Sequence, residues 1–156
     1  MKLFLIALGS NIGERKSYIM NAIAELSIRA GEIEAVSSLY ETRPEGFDSQ
    51  HSFLNAAIAL RSNLSPTEMI ETTRNIEHAL GSLTHRNPDG SYRDRTIDID
   101  IIACDDIILQ TEELTIPHPR MHLRRFVLDP LCEIAPQWIH PLLHESVTAL
   151  RDKLTE

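Results

Sequence analysis

The sequence predicts an α+β fold, a ferredoxin-like split βαβ sheet with helices packed on both faces. Three observations carry that expectation. Apolar runs of strand character and stripes of helical spacing follow one another as strand, helix, strand, strand, helix, strand. Gly, Pro and short polar clusters separate them. The 156 residues, 42% of them hydrophobic, suit one domain spanning 1–156 with a sizeable core.

The first element, "KLFLIAL" at 2–8, is apolar and stops at Gly9, as a buried strand does. "SNIGERKSYIMNAIAEL" then places Ile19, Ala22, Ile23 and Leu26 at helical spacing, and Gly31 is a natural stop. "IEAVSSLYET" at 33–42 reads as one second strand, running into the polar loop "RPEGFDSQHS". "FLNAAIALRS" at 53–62 is a third strand. The second helix opens on Ser65 as N-cap, Pro66 in the first helical position and Glu68 closing a capping box; Met69, Ile70, Thr73, Ile76 and Leu80 form its inner stripe. After the polar stretch "SLTHRNPDGSYRDR" comes the strand "TIDIDIIAC", then a hairpin-like pair, "DIILQ" and "EELTIP". "HPRMHLRRFVLDPL" predicts a helix. The tail "HESVTALRDKL" is amphipathic through Val147, Leu150 and Leu154.

Fifteen Lys and Arg against 23 Asp and Glu leave a net charge of −8. That balance opposes general binding to nucleic acid or a membrane surface, although a local basic patch is compatible with it. Cys104 and Cys132 are too few for a disulfide framework and suit buried thiols in a reducing compartment. The apolar N-terminus ends without a signal-peptide cleavage pattern, and no run is long enough to span a bilayer. A cytoplasmic protein is expected.

The stretch "RDRTIDIDII" at 93–102 poses the chemical question, because strands avoid Asp and burying an unpaired carboxylate is costly. Alternation projects Asp98 and Asp100 to one face and Ile97, Ile99 and Ile101 to the other. Such a carboxylate pair suits Mg²⁺ carrying nucleotide phosphates; a solvated outer sheet face is the plain alternative. Arg93 and Arg95 just upstream favour phosphate. In the third strand Phe53 and Asn55 share a side, offering a stacking ring and an amide for the edge of a flat heterocycle. The segment "PHPRMHLRRF" gathers His118, Arg120, His122, Arg124, Arg125 and Phe126, a candidate anion site in an acidic chain. His118 with His122, and His140 with His144, have zinc-ligand spacing. No HExxH motif or cysteine pair accompanies them, and Pro119 and Pro141 interrupt a regular helix. "GSNIG" at 9–13 is neither GxGxxG nor a P-loop.

Together these segments resemble the 6-hydroxymethyl-7,8-dihydropterin pyrophosphokinase family of folate biosynthesis. The resemblance rests on "ALGSN" (7–11), "SSLYET" (37–42), "FLNAA" (53–57), "DRTIDIDI" (94–101), "PHPRMHLRRFVLDPL" (117–131) and "EIAP" (133–136). It implies transfer of pyrophosphate from ATP to the pterin hydroxymethyl group with release of AMP. It implies Asp98 and Asp100 as ligands of two Mg²⁺ ions, and Phe53 and Phe126 as the rings that sandwich the pterin. Asn55 would bond the pterin edge, with Thr42 and Glu45 supplying loop backbone contacts. Arg74, Glu77, Ile101 and Thr115 would surround ATP, and His118 and Arg124 would meet its phosphates. Arg95 matches an arginine of the catalytic loop. The expected partners are ATP and the pterin, bound by a monomer.

The chain departs from the family pattern at Ser82, where an arginine usually follows the glycine. It also has "SYRDR" in place of Trp-Gly-Pro-Arg, and Glu113 where some members have a basic group. Arg86 or Arg93 is expected to take the role missing at Ser82. The alternative is a non-catalytic or weakly active relative that binds pterin or nucleotide. An RNA-binding domain of the same topology is opposed by the charge and by the lack of an RNP-type aromatic run.

Overall fold

The computed structural model describes residues 1–43, 52–81 and 96–154. Four of its strands form the predicted core sheet. These are β1 (Lys2–Ser10), β2 (Glu32–Val36), β4 (Phe53–Ser62) and β5 (Asp98–Cys104), in the order β2-β4-β1-β5, with the short β3 (Tyr40–Thr42) also paired to β4. Every pairing is antiparallel. This is the split βαβ order, in which β1 and β2 flank β4 because α1 crosses between them.

The helices divide between the two faces. Ile19, Ala22, Ile23 and Leu26 of α1 (Arg15–Arg29) and Met69 and Ile76 of α2 (Pro66–Ala79) pack on Phe4, Ile6, Leu8, Ile58, Leu60, Ile97, Ile99 and Ile101. Val127, Leu128 and Leu131 of α3 (Arg125–Ile134) and Val147 and Leu150 of α4 (Val147–Asp152) cover Leu5, Ala57, Ala59, Ile102 and Ala103 on the other face. The capping box at α2 forms as read: Ser65 Oγ accepts the Glu68 N–H, and the Glu68 carboxylate accepts the Ser65 N–H.

Four details differ from the sequence reading. The strand expected over 33–42 is two strands. Between Val36, opposite Ile58, and Tyr40, opposite Asn55, the chain holds one extra residue. Ser37 bridges the break, its N–H donating to the Ala57 carbonyl and its Oγ accepting the Ala57 N–H. The helix expected over 118–131 is a 3₁₀ turn at Met121–Leu123 followed by α3. Gly31 is required by close approach, since a Cβ there would stand 2.0 Å from the Arg61 carbonyl oxygen. A register shift between Leu5 and Ile6 places Ile102 and Ala103 on the same face and ends the strict alternation of β5. The hairpin-like pair is present as β6 (Leu109–Gln110) and β7 (Thr115–Ile116).

Candidate active site

The site begins with one row of residues across the sheet. Gly9 of β1 lies opposite Asn55 on one side and opposite Asp98 on the other. Directly opposed residues share a face, so Asn55 and Asp98 project beside each other over a glycine that adds no side chain. Two strand spacings, roughly 9–10 Å, separate them. In the next row Ala7 lies between Ala57 and Asp100. The aspartates therefore stand on the α3 face beside a low floor, and Ile97, Ile99 and Ile101 sink into the opposite core.

Asn55 is 5% exposed, and its amide is oriented by β3. Its Nδ2 donates to Thr42 Oγ1 at 2.7 Å and to the Tyr40 carbonyl at 3.3 Å. A carbonyl only accepts, so the nitrogen must face β3 and Oδ1 faces the Gly9 floor. Phe53, next on the same side of β4, borders that floor, its ring carbon 3.5 Å from where a Gly9 Cβ would be. Phe126, in the first turn of α3, packs partly into the α3-side core, and the Arg124 guanidinium lies 5.5 Å from its ring centre. Thr42, Phe53, Asn55 and Phe126 are thus gathered on the α3 side of the sheet.

A cavity of 570 Å³ opens beside β5, the edge strand. It is lined by Arg74, Glu77, Asp98, Asp100, Ile101, Thr115 and His118, the residues that sequence reading singled out for nucleotide and metal, Arg124 excepted. Glu113, noted from the sequence as standing where a basic group is found in some members, also lines it, and Ile70, His78, Ile99, Leu114 and Pro119 complete it and were missed. No motif marks them, since they meet only when α2 and the β6–β7 hairpin flank the edge. Glu77, 5% exposed, accepts the Ile99 N–H at 2.7 Å. Ile101, two residues on, turns its backbone N–H and carbonyl to the same open side. The Arg74 guanidinium donates to the Glu113 carbonyl, so Glu113 contributes backbone here.

His118 sits beside arginines but differs from them in charge. Burial first, then the nearby Arg124, pulls its imidazole down to about 4, against the opposing pull of Asp98. At neutral pH it is uncharged. Its Nδ1 accepts the Arg120 N–H at 3.2 Å, so the ring proton sits on Nε2. It can offer an anion one N–H, while positive charge comes from the arginines.

Asp98 and Asp100 supply two hard carboxylates on one strand, and among the described residues no third His, Cys, Asp or Glu joins a metal cage. That donor set fits Mg²⁺, which takes its remaining ligands from phosphate and water. Glu45, Arg86, Arg93 and Arg95 lie outside the described residues.

The sequence profile of the family described as 7,8-dihydro-6-hydroxymethylpterin-pyrophosphokinase (HPPK) matches residues 5–136. The 2-amino-4-hydroxy-6-hydroxymethyldihydropteridine pyrophosphokinase of Porphyromonas gingivalis is 44% identical over 142 residues, covering 90% of this chain and 95% of that protein. The Bacillus subtilis protein of the same name is 44% identical over 133 residues, covering 85% of this chain and 77% of that one. Among solved structures, the HPPK-DHPS protein of Plasmodium falciparum superposes with a TM-score of 0.76 at 17% identity, over 97% of this chain and 44% of that one. That likeness concerns the fold, and this chain spans less than half of the solved protein.

Proposed function

This chain belongs to the 7,8-dihydro-6-hydroxymethylpterin-pyrophosphokinase family, and we propose that its sheet-edge cavity takes ATP while the floor under α3 takes the pterin. It is a pyrophosphokinase of folate biosynthesis, transferring pyrophosphate from ATP to 6-hydroxymethyl-7,8-dihydropterin and releasing AMP. The observation that carries the division is the row Asn55–Gly9–Asp98. It sets a heterocycle-reading amide and a metal-binding carboxylate one small molecule apart, so the bound hydroxyl and the phosphate chain can meet without either ligand moving.

In this reading Phe53 and Phe126 stack on the two faces of the pterin, and Asn55 Oδ1 accepts an N–H from its edge. Thr42 holds the Asn55 amide, and the resemblance adds Glu45 as a pterin contact. Ile101 offers its strand-edge groups to the adenine, with Glu77, Arg74 and Thr115 around it. His118 donates one N–H to a phosphate oxygen, and Arg124 supplies charge between the two ligands. Asp98 and Asp100 would hold two Mg²⁺ ions, which would supply charge that neutralises the phosphates. The pterin hydroxyl oxygen bonds to the β-phosphorus as the bond from that phosphorus to the AMP oxygen breaks in line. The hydroxyl proton leaves to solvent or phosphate, and AMP departs with the bonding pair. Arg95, with Arg86 or Arg93, stabilises charge that develops during transfer. The protein works as a cytoplasmic monomer.

Incubation with Mg-ATP and 6-hydroxymethyl-7,8-dihydropterin tests this directly. AMP and pyrophosphorylated pterin should appear in equal amounts. Binding of both ligands without AMP would select the non-catalytic alternative. Arg95→Ala should lose kcat in single turnovers while ATP affinity holds.

A further inference from the structure

A feature outside both ligand pockets controls one of them. Glu133 lies in the last turn of α3, seven residues after Phe126 and so on the same side of the helix two turns away. Its Oε1 accepts the Ser38 N–H at 2.8 Å and the Tyr40 hydroxyl at 2.7 Å, and its Oε2 accepts the Ser38 hydroxyl at 3.0 Å. These three bonds fall where β2 gives way to β3, the place where the backbone ladder is broken by an extra residue. β3 itself is only three residues long. Its Tyr40 carbonyl and Thr42 hydroxyl are the two groups that aim the Asn55 amide.

Resting on the functional reading above, we propose that Glu133 is a positioning residue of the pterin pocket, fixing the spacing between the Phe126 wall and the Asn55 acceptor. One helix carries both the stacking ring and the carboxylate, and that carboxylate grips the strand that orients the acceptor. A shift of β3 relative to α3 would move ring and amide apart, and the three hydrogen bonds oppose that shift. The network is charge-assisted. The Tyr40 phenol is pushed up to about 12, chiefly by its bond to Glu133, and the Glu133 carboxyl is held below its usual range by the Tyr40 hydroxyl and the Ser38 N–H. The Ser38 N–H and the Tyr40 hydroxyl require one acceptor oxygen, whereas the Ser38 hydroxyl needs only a polar partner, so a neutral side chain can keep the geometry with weaker bonds. A glutamine can keep its carbonyl oxygen under Ser38 N–H and Tyr40 OH and turn its amide to the Ser38 hydroxyl, which can accept as well as donate.

The test compares Glu133→Ala, Glu133→Gln and Tyr40→Phe by steady-state kinetics in both substrates. Glu133→Ala should raise KM for the pterin about fivefold, with KM for ATP within about twofold of the parent. Glu133→Gln should stay within about twofold for both, and Tyr40→Phe, which deletes one bond of three, should fall between. An equal rise in both KM values, or a Gln variant as impaired as the Ala variant, would overturn the inference. The side-chain amide resonances of Asn55, identified by their loss in Asn55→Ala, give a readout that needs no turnover. They should shift in Glu133→Ala and stay in place in Glu133→Gln. If the parent protein makes no AMP, the pyrophosphokinase reading fails while these resonances still decide the coupling. Unmoved resonances in a folded Glu133→Ala protein would overturn it, and Tyr40→Phe serves if that variant does not fold.

Discussion

Gly9 and Asn55 face each other across β1 and β4 so closely that a Cβ on Gly9 would stand 3.3 Å from Asn55 Oδ1. Gly9→Ala should therefore weaken pterin binding without unfolding the sheet. The methyl group meets the atom proposed to accept from the pterin, and Asn55 is held from behind by Thr42 and Tyr40. Calorimetry should show a pterin Kd raised about five- to tenfold, a penalty of about 1 kcal/mol. The ATP Kd should be unchanged, because Gly9 is absent from the cavity beside β5.

The aspartates predict a separation of activity from stability. Asp98→Asn and Asp100→Asn should each cut kcat about a hundredfold or more, the scale of losing part of the charge stabilisation at a transferring phosphate. The metal-free variants should stay folded, with parental circular dichroism, because Asn keeps the size and shape of the replaced side chain. Parental turnover in either variant would show that the pair is a solvated sheet face.

Glu77 predicts the opposite pattern. Its carboxylate holds the buried Ile99 N–H at 2.7 Å, and Glu77→Ala leaves that amide without its partner. Urea unfolding should show a loss of about 2 kcal/mol with an unchanged m value. KM for ATP should rise with it. Glu77→Gln keeps an acceptor in place and should lose about half as much stability.

His118 predicts acid sensitivity. The unfolded imidazole takes its proton near the ordinary 6.5, whereas the folded one resists until about 4. Above pH 6.5 neither state is protonated and the stability is fully present. As pH falls from 6.5 to 4 the unfolded chain gains a proton that the folded chain refuses, so stability declines; below 4 the decline stops. Relative to His118→Asn, the metal-free parent should lose roughly 2–3 kcal/mol more between pH 7 and pH 4, read from denaturant midpoints.

Much of this architecture was legible because it follows local rules. The inner stripes of α1 and α2, the Ser65–Glu68 box and the shared face of Asp98 and Asp100 each follow from spacing and side-chain chemistry alone. What escaped depends on register. Nothing in "ALGSN" says that Gly9 will lie between Asn55 and Asp98, because that follows from two strand pairings whose sequence separations exceed 40 residues. The break at Ser37 was hidden because a serine hydroxyl can replace a ladder bond without any Gly or Pro to mark it. The anchor at Glu133 joins residues more than 90 positions apart. The charge state of His118 could not be read from its sequence neighbours, because its burial is a property of the assembled edge.

Among the described residues β5 lies at the end of the sheet order, and one row of its backbone groups faces no neighbouring strand there. Such a row is a template on which a stray chain can add itself, the first step of aggregation. Here the row is guarded piece by piece. Glu77 accepts the Ile99 N–H and the backbone N–H of His118 donates to the Ile102 carbonyl, with the groups of Ile101 lying in the opening between them. A ligand that reads a strand edge fills the same gap that an intruding strand would need. If the cavity takes ATP as proposed, the bound nucleotide would also cover the stretch of edge on which another strand could add.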